Sequence, residues 1–269
     1  MSVVKNASTW EVFAVRYATR AALRRDNFIG GDPHEAPMPL DYYVWLIRNG
    51  ERAIVIDMGF TAAVAKKRKR DYLRTPAEGL ALLSVQAADV EDVIVTHLHY
   101  DHVGTYQDFP KARFHLQDDE MAYATGRYMR FSRFNHGYEV DDVVAMVHLT
   151  YKNRVQFHAG EGEIAPGVSV HRIGGHTRGL QCVRVSTARG WVVLASDASH
   201  FYEHMEQNRC FPTVFNVGEM MDGYEILRRL ADSEAHIIPG HDPLVMQRYP
   251  AVSKELEGIA VRLDVAPRA

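Results

Sequence analysis

Short apolar runs rich in β-branched and aromatic residues recur along the chain, and Gly, Pro or Asn separates them. Near the start, the runs at 11–18, 41–48 and 52–59 predict strands, because these residue types suit a pleated, half-buried surface. Asn49-Gly50 between the last two runs predicts a hairpin turn. Further runs predict strands at 92–97, 112–117, 154–160, 167–175, 180–186, 190–198 and 235–242.

Three segments between these runs carry helical signals. The tetrapeptide TPAE at 75–78 is a capping box with Pro at the first helical position, and it predicts a helix that continues through residue 86. The segment 118–126 predicts a helix closed by glycine, and 218–232 predicts an amphipathic helix. The segment 127–151 is aromatic and mixed, with no clean period, so no element is predicted there.

The order of these elements predicts an α/β protein in which sheets pack together and helices cover them. No repeat, low-complexity tract or Pro/Ser-rich linker divides the 269 residues. We therefore expect a single domain over 1–269, with two β-rich halves at roughly 1–150 and 151–269. The Gly- and Pro-rich segment 24–40 is a long loop, and loops of this length usually cover a site or meet a partner.

Composition and charge narrow the class of protein. Apolar residues make up 46% of the chain and charged residues 24%, and the net charge of −3 argues against a nucleic-acid partner. The one basic run, KKRKR at 66–70, is interpreted as a solvated helix face or loop. The apolar runs are too short to span a bilayer, and the first residues lack the apolar stretch of a signal peptide. With Cys182 and Cys210 expected as free thiols, we predict a cytoplasmic protein without a membrane partner.

The segment THLHYDHVG at 96–104 crowds potential metal ligands directly after an apolar run. Alternation along an extended chain places His97 and His99 on one side, while Asp101 and His102 project elsewhere. Two ligand pairs pointing in different directions suit two metal ions better than one. Imidazole and carboxylate ligands favour Zn²⁺ or a similar first-row metal. A surface loop with coincidental histidines is the alternative, and the H-x-H-x-D-H spacing makes it a rare coincidence.

Three further positions offer the ligands that such a site needs. His176 lies between glycines in RIGGHTRG, Asp197 ends the run WVVLASDA, and His241 follows Gly in HIIPGHD. Each follows a β run at a turn, where a rigid scaffold presents side chains from a loop.

In this combination the chain resembles the metallo-β-lactamase-fold hydrolases. Their pattern is an H-x-H-x-D-H cluster, a later Gly-His, a bridging Asp and a final Gly-His, all present here in order. The resemblance covers nearly the whole chain and implies a four-layer αββα sandwich with a binuclear site at one edge of the sheets. It implies two Zn²⁺ ions, with Fe, Mn or Co as alternatives, and these ligands: His97, His99 and His176 on one metal, Asp101, His102 and His241 on the other, and Asp197 bridging. Asp57, in IDMGF, would hold a turn rather than bind metal.

Within that superfamily the chain most resembles the N-acyl-homoserine lactonase group, through THLHYDHVG, SDASH and PGHDP. This resemblance implies that a metal-bridging hydroxide attacks a lactone carbonyl while a metal polarises the carbonyl oxygen. Asp101 would then carry the proton to the leaving alkoxide. The implied partner is a small-molecule lactone.

Two departures from the lactonase pattern bear on the substrate. The Tyr that usually follows the bridging Asp by three residues is His200 here, which either donates to the substrate carbonyl or packs; Tyr202 is a second candidate. In GGHTRGLQ, Arg178 and Leu180 replace a Pro and a His. Arg178 would meet a substrate carboxylate or remain solvated.

The aromatic insert at 126–138 has three readings. Tyr128, Phe131 and His136 would stack on a flat substrate, as in the related pyridoxolactonase, wall an acyl-chain pocket, or pack as lid and core. The N-terminal loop offers a further wall or the contact of a homodimer, through Arg20, Arg24, Phe28 and Met38.

The favoured function is therefore metal-dependent opening of an N-acyl-homoserine-like or aromatic-fused lactone. The alternative is a glyoxalase II-like thioesterase, or another ester or amide hydrolase of the same fold. About thirty residues follow His241, so the basic C-terminal region of such thioesterases is nearly absent. The net charge disfavours a nuclease, the complete second site disfavours a one-iron persulfide oxidiser, and seven retained ligands disfavour a decayed binding protein.

Overall fold

The structure is a computed structural model that describes residues 9–50 and 52–268. These residues form the strands β1 (Glu11–Arg20), β2 (Leu40–Asn49), β3 (Arg52–Ile56), β4 (Asp71–Tyr72), β5 (Asp92–Ile94), β6 (Arg113–Gln117), β7 (Val155–His158), β8 (Glu161–Ala165), β9 (Val168–Arg172), β10 (Gln181–Thr187), β11 (Gly190–Ser196), β12 (Ile237–Pro239) and β13 (Ala260–Arg262). Their α-helices are α1 (Ala62–Arg68), α2 (Pro76–Ala81), α3 (Tyr100–Val103), α4 (Asp118–Ala124), α5 (Ser132–Asn135), α6 (Val140–Tyr151), α7 (Tyr202–Glu206), α8 (Val217–Leu230) and α9 (Leu244–Arg248). The first residues, which bear on the signal-peptide expectation, lie partly outside this range.

The strands form two sheets: β1 to β7 together with β13 make the first, and β8 to β12 make the second. The first sheet has the order β13-β1-β2-β3-β5-β6-β7, with β4 added beside β1, and the second has the order β12-β11-β10-β9-β8. The hairpin expected at Asn49-Gly50 is present: Asn49 pairs with Arg52, and Gly50 takes a φ of +57°.

The side-chain alternation along β2 shows how the layers pack. Trp45 and Ile47 lie in the core between the two sheets, whereas Val44 and Leu46 lie in the core beneath the helices. Helices α1, α2, α4 and α6 contribute to that second core, and α8 packs on β11 from the far side of the other sheet. The expected four-layer αββα sandwich is therefore confirmed.

Two sequence-based expectations are corrected. The helix after TPAE ends at Ala81, and Ser84 takes a left-handed φ of +61° instead of continuing to residue 86. The segment 127–151, for which no element was predicted, contains α5 and the twelve-residue α6. The helical period of α6 is hidden because its exposed side is also apolar, at Val140, Val144 and Tyr151.

The segments that follow parallel strands carry six of the seven predicted ligands, and the seventh, His176, follows the antiparallel strand β9. β3, β5 and β6 run parallel in the first sheet, and β11 and β12 run parallel in the second. The H-x-H-x-D-H segment follows β5, Asp197 follows β11 directly, and His241 follows β12. Because the carboxyl ends of parallel strands meet at one edge of a sheet, each sheet presents its ligands at such an edge. Among the described residues, no helix combines the length and apolar composition needed to cross a bilayer.

A buried glutamine joins the two sheets next to this edge. The backbone N–H of Gln181 donates to the carbonyl of Thr96 (3.0 Å), and its Nε2 donates to the carbonyls of Val95 (2.8 Å) and His115 (3.0 Å). Its Oε1 accepts from Nε2 of Gln117 at 2.8 Å. Both glutamines are almost fully buried, so none of these groups has water as a substitute partner.

We predict that Gln181→Leu lowers the free energy of unfolding by about 2–3 kcal/mol, because Leu removes the side-chain donor to the carbonyls of Val95 and His115 and the acceptor of one N–H of the buried Gln117 amide. For a chain of this size, that corresponds to a melting temperature lower by about 4–10 °C, measured by differential scanning calorimetry. Gln156→Leu on β7 is the matched control, since Gln156 is exposed and should change stability by less than about 0.5 kcal/mol. Equal shifts in the two variants would contradict this role of Gln181.

Candidate metal centre

The H-x-H-x-D-H segment is buried and held from several sides. Asp57, at a φ of +61°, accepts from the backbone N–H of Thr96 at Oδ1 (2.8 Å) and from its hydroxyl at Oδ2 (2.8 Å). The backbone N–H of Tyr100 donates to the carbonyl of Gly137 at 2.8 Å. These hydrogen bonds therefore fix the conformation of the buried segment between β5 and α3.

Three histidine nitrogens meet in the first part of the centre. Nε2 of His97 lies 3.1 Å from Nδ1 of His99, and Nε2 of His176 lies 3.2 Å and 2.9 Å from these two atoms. Ligands about 2.0–2.1 Å from a tetrahedral Zn²⁺ lie roughly 3.3 Å apart. The three nitrogens thus form one face of a tetrahedron of nearly the right size.

The second part of the centre combines one carboxylate with two imidazoles. Oδ2 of Asp101 lies 3.8 Å from Nε2 of His102 and 3.7 Å from Nε2 of His241. One ligand atom from each of the three side chains lies within 4.8 Å of the others. This group is more open than the three histidines.

Asp197 lies between the two groups and turns one oxygen to each. Its Oδ1 is 3.0 Å from Nε2 of His241 and 3.5 Å from Nε2 of His102. Its Oδ2 is 3.3 Å from Nε2 of His176 and 3.8 Å from Nε2 of His97. A carboxylate in this position is able to bridge two cations.

Hydrogen bonds at Nδ1 orient three of the imidazoles so that Nε2 faces the centre. In each case the Nδ1–H group donates to an acceptor outside the centre, and Nε2 is then the nitrogen whose lone pair is available to a cation. The pairs are His102 with Oδ2 of Asp57 (2.7 Å), His176 with the carbonyl of Thr213 (2.6 Å), and His241 with the carbonyl of Asp41 (2.8 Å).

Two atoms of the centre are buried without a hydrogen-bond partner among the described residues, namely Nε2 of His102 and Oδ1 of Asp197. An unsatisfied buried polar group costs about 1–3 kcal/mol. A cation between the two groups would satisfy both atoms. The donor set therefore fits a pair of metal ions in composition, spacing and unmet bonding.

The pKa shifts of the buried imidazoles and of Asp197 bear on whether these groups are able to bind a cation. Burial lowers the pKa of four imidazoles, so each is neutral and has a lone pair to offer: His97, His99, His176 and His200. Burial acts to raise the pKa of Asp197, but adjacent imidazoles, His241 foremost, hold it well below its ordinary value. The three-histidine group thus presents neutral nitrogen beside the anionic oxygen of Asp197. Burial acts to lower the pKa of His102 and His241, but nearby carboxylates, Asp57 and Asp197 foremost, raise both above the ordinary value, so a cation there would displace a proton.

A buried glutamate that the sequence reading did not identify ties the two histidine segments together. Glu120, on α4, is fully buried, and its carboxylate accepts four hydrogen bonds. The donors are the backbone N–H of Leu98 (3.0 Å), the backbone N–H of Gly179 (3.0 Å), the hydroxyl of Thr177 (2.6 Å) and the hydroxyl of Tyr138 (3.1 Å). Leu98 lies between two predicted ligands, and Thr177 follows a third. No motif marks an acidic residue in the first turn of a helix for this role.

A cavity of about 120 Å³ opens onto the centre. Of the predicted metal ligands, five line it, and so does His200; the remaining lining is partly aromatic and partly basic. The lining comprises Arg20, Leu40, Tyr42, Arg68, Arg70, His99, Tyr100, Asp101, His136, Gly137, His176, Asp197, His200, Thr213 and His241. Pockets for drug-sized ligands are usually about 300–1,000 Å³, so this cavity suits a compact group.

His200 lies at the junction of the cavity and the centre. Its Nε2 is 3.0 Å from Oδ2 of Asp197. Its ring stacks on Phe211, with centroids 3.6 Å apart and planes at 19°. The side chain is therefore held rigidly with one nitrogen at the edge of the centre.

Six of the predicted substrate-contacting residues lie outside the cavity lining: Phe28, Met38, Tyr128, Phe131, Arg178 and Tyr202. Tyr202 is buried in a separate pocket, with Arg248 stacked over its ring at 3.9 Å. Arg178 is exposed and pairs with Asp119 at 3.4 Å. Neither is positioned to meet a substrate beside the centre.

Two of the aromatic residues considered for substrate contact pack against other rings outside the cavity lining, which for Tyr128 was one of the three readings of the insert. Phe28 is buried against the ring of His204, and Tyr128 packs against Phe134 and Phe215. Phe131 is exposed, and Met38 is part of the N-terminal loop away from the lining. Among the residues predicted in the insert, only His136 reaches the rim of the cavity.

The basic run at 66–70 is also corrected in part. Lys66 and Lys67 are exposed, as a solvated helix face requires. Arg68 and Arg70, however, are half-buried and line the cavity together with Arg20. The sequence does not distinguish these two arginines from their basic neighbours, because a charge run does not show which of its members point inward.

Comparison with known proteins agrees with the ligand pattern. The profile of the metallo-beta-lactamase superfamily matches residues 38–241. An N-acyl homoserine lactonase of Agrobacterium fabrum is 30% identical over 193 residues, which cover 67% of this chain and 66% of that protein. A probable metallo-hydrolase of Mycobacterium tuberculosis is 26% identical over 193 residues, which cover 63% and 57%. The match spans less than two thirds of the length of both relatives.

Solved structures agree on the fold. A quorum-quenching N-acyl homoserine lactone lactonase superposes with a TM-score of 0.73 at 20% identity, over 87% of this chain and 92% of that one. A hydrolase of the β-lactamase superfamily superposes with a TM-score of 0.72 at 16% identity, over 98% and 97%.

We predict that Gly137→Ala lowers the affinity for Zn²⁺ by about 10- to 100-fold, because an added Cβ would lie 2.6 Å from Nε2 of His99 and displace the ring. Competition with a chromogenic chelator measures that affinity. Gly218→Ala, in the first turn of α8, is the control, since the nearest atom to its Cβ lies 3.4 Å away. Unchanged Zn²⁺ affinity in Gly137→Ala would show that His99 does not depend on this contact.

Proposed function

The chain belongs to the metallo-β-lactamase superfamily, and from this we propose that it is a metal-dependent hydrolase that opens lactone rings. The observation that carries the proposal is the convergence of seven donor side chains in one buried centre beside a compact cavity. The lactone as the scissile group is supported by the 30% identical relative, which is named as a lactonase. The retained carboxylate of Asp101 adds to this support, because it supplies a proton carrier for ring opening.

In this proposal two cations bind in the centre, one to three histidines and the other to a mixed set. The first would be held by His97, His99 and His176, the second by Asp101, His102 and His241, with Asp197 shared. Nitrogen and carboxylate donors favour Zn²⁺, and Fe, Mn or Co suit the same donors. When bound, the pair supplies Lewis acidity to an ester carbonyl and lowers the pKa of a water molecule.

The residues of the chain then have separate tasks. Asp101 lines the cavity and faces the centre, where its carboxylate accepts the proton of the attacking water and returns it to the alkoxide that leaves the ring. His200 is neutral and has a single N–H, and its Nε2 lies 3.0 Å from Oδ2 of Asp197. With the oxygens of Asp197 engaged by cations, that N–H would be free to donate to the carbonyl oxygen as charge develops on it, from a ring that Phe211 holds in place. Burial of the whole centre limits the access of bulk water.

We predict that Zn²⁺-loaded protein hydrolyses neutral γ-lactones and that activity falls to background after chelation. Titration with Zn²⁺ should restore it, with full activity near two ions per chain by elemental analysis. His176→Ala should bind less metal and lose activity, because that side chain supplies one donor of the three-histidine group. A thioester assay runs in parallel: turnover of thioesters with none of any lactone would favour the thioesterase alternative instead.

We predict that His200→Phe lowers kcat about 100-fold, because Phe keeps the stack on Phe211 but removes the donor. His200→Gln retains an N–H and should recover part of the rate. Metal content measured in both variants separates this role from metal binding, since His200 also lies near His176 and Asp197. If His200→Phe turns over lactone at the wild-type rate, the residue only packs.

A further inference from the structure

The pairing of two strands brings two arginines face to face at the cavity. β1 pairs antiparallel with β4, with Ala18 opposite Tyr72 and Thr19 opposite Asp71. Continuing this register by one residue places Arg20 opposite Arg70, and both line the cavity. Like charges directly opposite each other on neighbouring strands are destabilising. The pair therefore needs an explanation beyond the fold.

Most N–H donors of these two guanidinium groups have no hydrogen-bond acceptor among the described residues. Arg70 donates from Nε to the hydroxyl of Tyr100 (3.0 Å) and from Nη1 to the carbonyl of Arg68 (2.6 Å), while its Nη2 has no partner among the described residues. Arg20 makes no side-chain hydrogen bond or ion pair to any described residue, and its Nε is buried without a partner. An arginine has five N–H donors, so most of those at this point of the cavity remain free.

Arg68, the third arginine of the lining, differs in this respect. Its Nε donates to Glu139 (2.8 Å), its Nη1 to the carbonyl of His136 (2.8 Å) and its Nη2 to the carbonyl of Tyr138 (3.1 Å). These bonds occupy the guanidinium and fix the rim of the cavity. Arg68 is therefore structural, and the free donors belong to Arg20 and Arg70.

No acidic side chain of the lining forms an ion pair with Arg20 or Arg70. The only carboxylates there are Asp101 and Asp197, and both face the metal centre. Asp41, next to Leu40 of the lining, is already paired with Arg16 at 3.2 Å. With cations in the centre, this part of the cavity would be strongly positive.

We propose that the substrate of this centre carries an oxyanion group, a carboxylate or a phosphate, which Arg20 and Arg70 bind while the metal centre holds the scissile carbonyl. The proposal rests on the proposed function and narrows it to a substrate class. Guanidinium groups recognise both oxyanions through paired N–H donors. Because the cavity is only about 120 Å³, the anionic group lies close to the lactone ring and not at the end of a long chain.

Kinetics with matched lactones test the proposal. A γ-lactone with a carboxylate on the ring is compared with its carboxamide, which has the same shape without the charge, and with a phosphate-bearing lactone. Zn²⁺-loaded wild type should prefer an anionic lactone over the carboxamide at least tenfold in kcat/KM. Arg20→Gln should abolish this preference by raising KM for the anionic lactone, with less than threefold change for the carboxamide. Arg20→Lys should retain part of it.

Arg52→Gln is the matched control, because Arg52 is exposed at the start of β3 and pairs with Asp92 at 3.0 Å, away from the cavity. It should leave the preference unchanged. Whichever lactone has the higher kcat/KM relative to the carboxamide, the carboxylate or the phosphate, identifies the preferred oxyanion. Absence of any anionic preference in wild type, or a preference that survives both Arg20→Gln and Arg70→Gln, would overturn the proposal.

A binding measurement separates this proposal from the proposed function. Calorimetric titration of the Zn²⁺-loaded protein compares succinate, glutarate and adipate with their monoamides, so that one carboxylate remains available to the metals in every ligand. At least one diacid should bind tenfold more tightly than its monoamide, and Arg20→Gln should remove the difference. That result without turnover of any lactone would retain the anion site and reject the lactonase. Lactone turnover together with equal binding of diacids and monoamides would retain the lactonase and reject the anion site.

Discussion

The structure depends on holding five imidazoles and two carboxylates in one buried space, where their donor atoms crowd to within about 3–4 Å. Without cations, such a cluster combines desolvated charge with facing lone pairs, so the surrounding chain has to keep it together. It does so with acceptors outside the cluster that bind the Nδ1–H groups. Two buried carboxylates, Asp57 and Glu120, also accept hydrogen bonds from the backbone around the ligands. The left-handed φ angles of Asp57 and Ser196, at the ends of β3 and β11, follow from the same demand. Such strain, about 1–3 kcal/mol per residue, persists only where the surroundings over-determine the conformation.

This constraint explains which parts of the centre were predictable. His97, His99, Asp101 and His102 stand in one short segment with a spacing that chance seldom produces. Each remaining donor follows a β run, and His176 and His241 also stand beside glycine. Local pattern therefore identifies them. Glu120 leaves no such trace, because its role consists entirely of contacts with residues distant in sequence, as far as Gly179. Gln181 is hidden for the same reason, since its partners lie on another sheet.

The substrate side was harder to predict because there the same residue types serve packing and binding. Tyr128 reads as a platform for a flat ligand, yet its neighbours Phe134 and Phe215 use it as core. Conversely, Arg20 and Arg70 are fifty positions apart and meet only through β4, a strand of two residues that no periodicity reveals. α6 shows the complementary difficulty, since apolar residues on both of its faces erase the helical period. The fold class, in contrast, was predictable from the repeated alternation of strand and helix segments and did not depend on these side-chain contacts.

The aromatic insert at 126–138, for which substrate contact was one of the open readings, also supports the metal ligands. Gly137 lies against the ring of His99 and accepts a hydrogen bond from the backbone of Tyr100, so the wall of the cavity is attached to the ligand segment. Arg68 then fastens the adjacent carbonyls of His136 and Tyr138 to α1. A change in this wall therefore displaces donors of the centre as well as the cavity rim. On the β1 side, Tyr17 is attached to the donors through the backbone carbonyl of Asp101 (2.9 Å). Arg20 has no comparable attachment, since it makes no side-chain bond to the described residues. In this architecture, substrate preference is freest to vary at position 20, where a different residue alters the charge of the cavity and leaves the buried cluster in place.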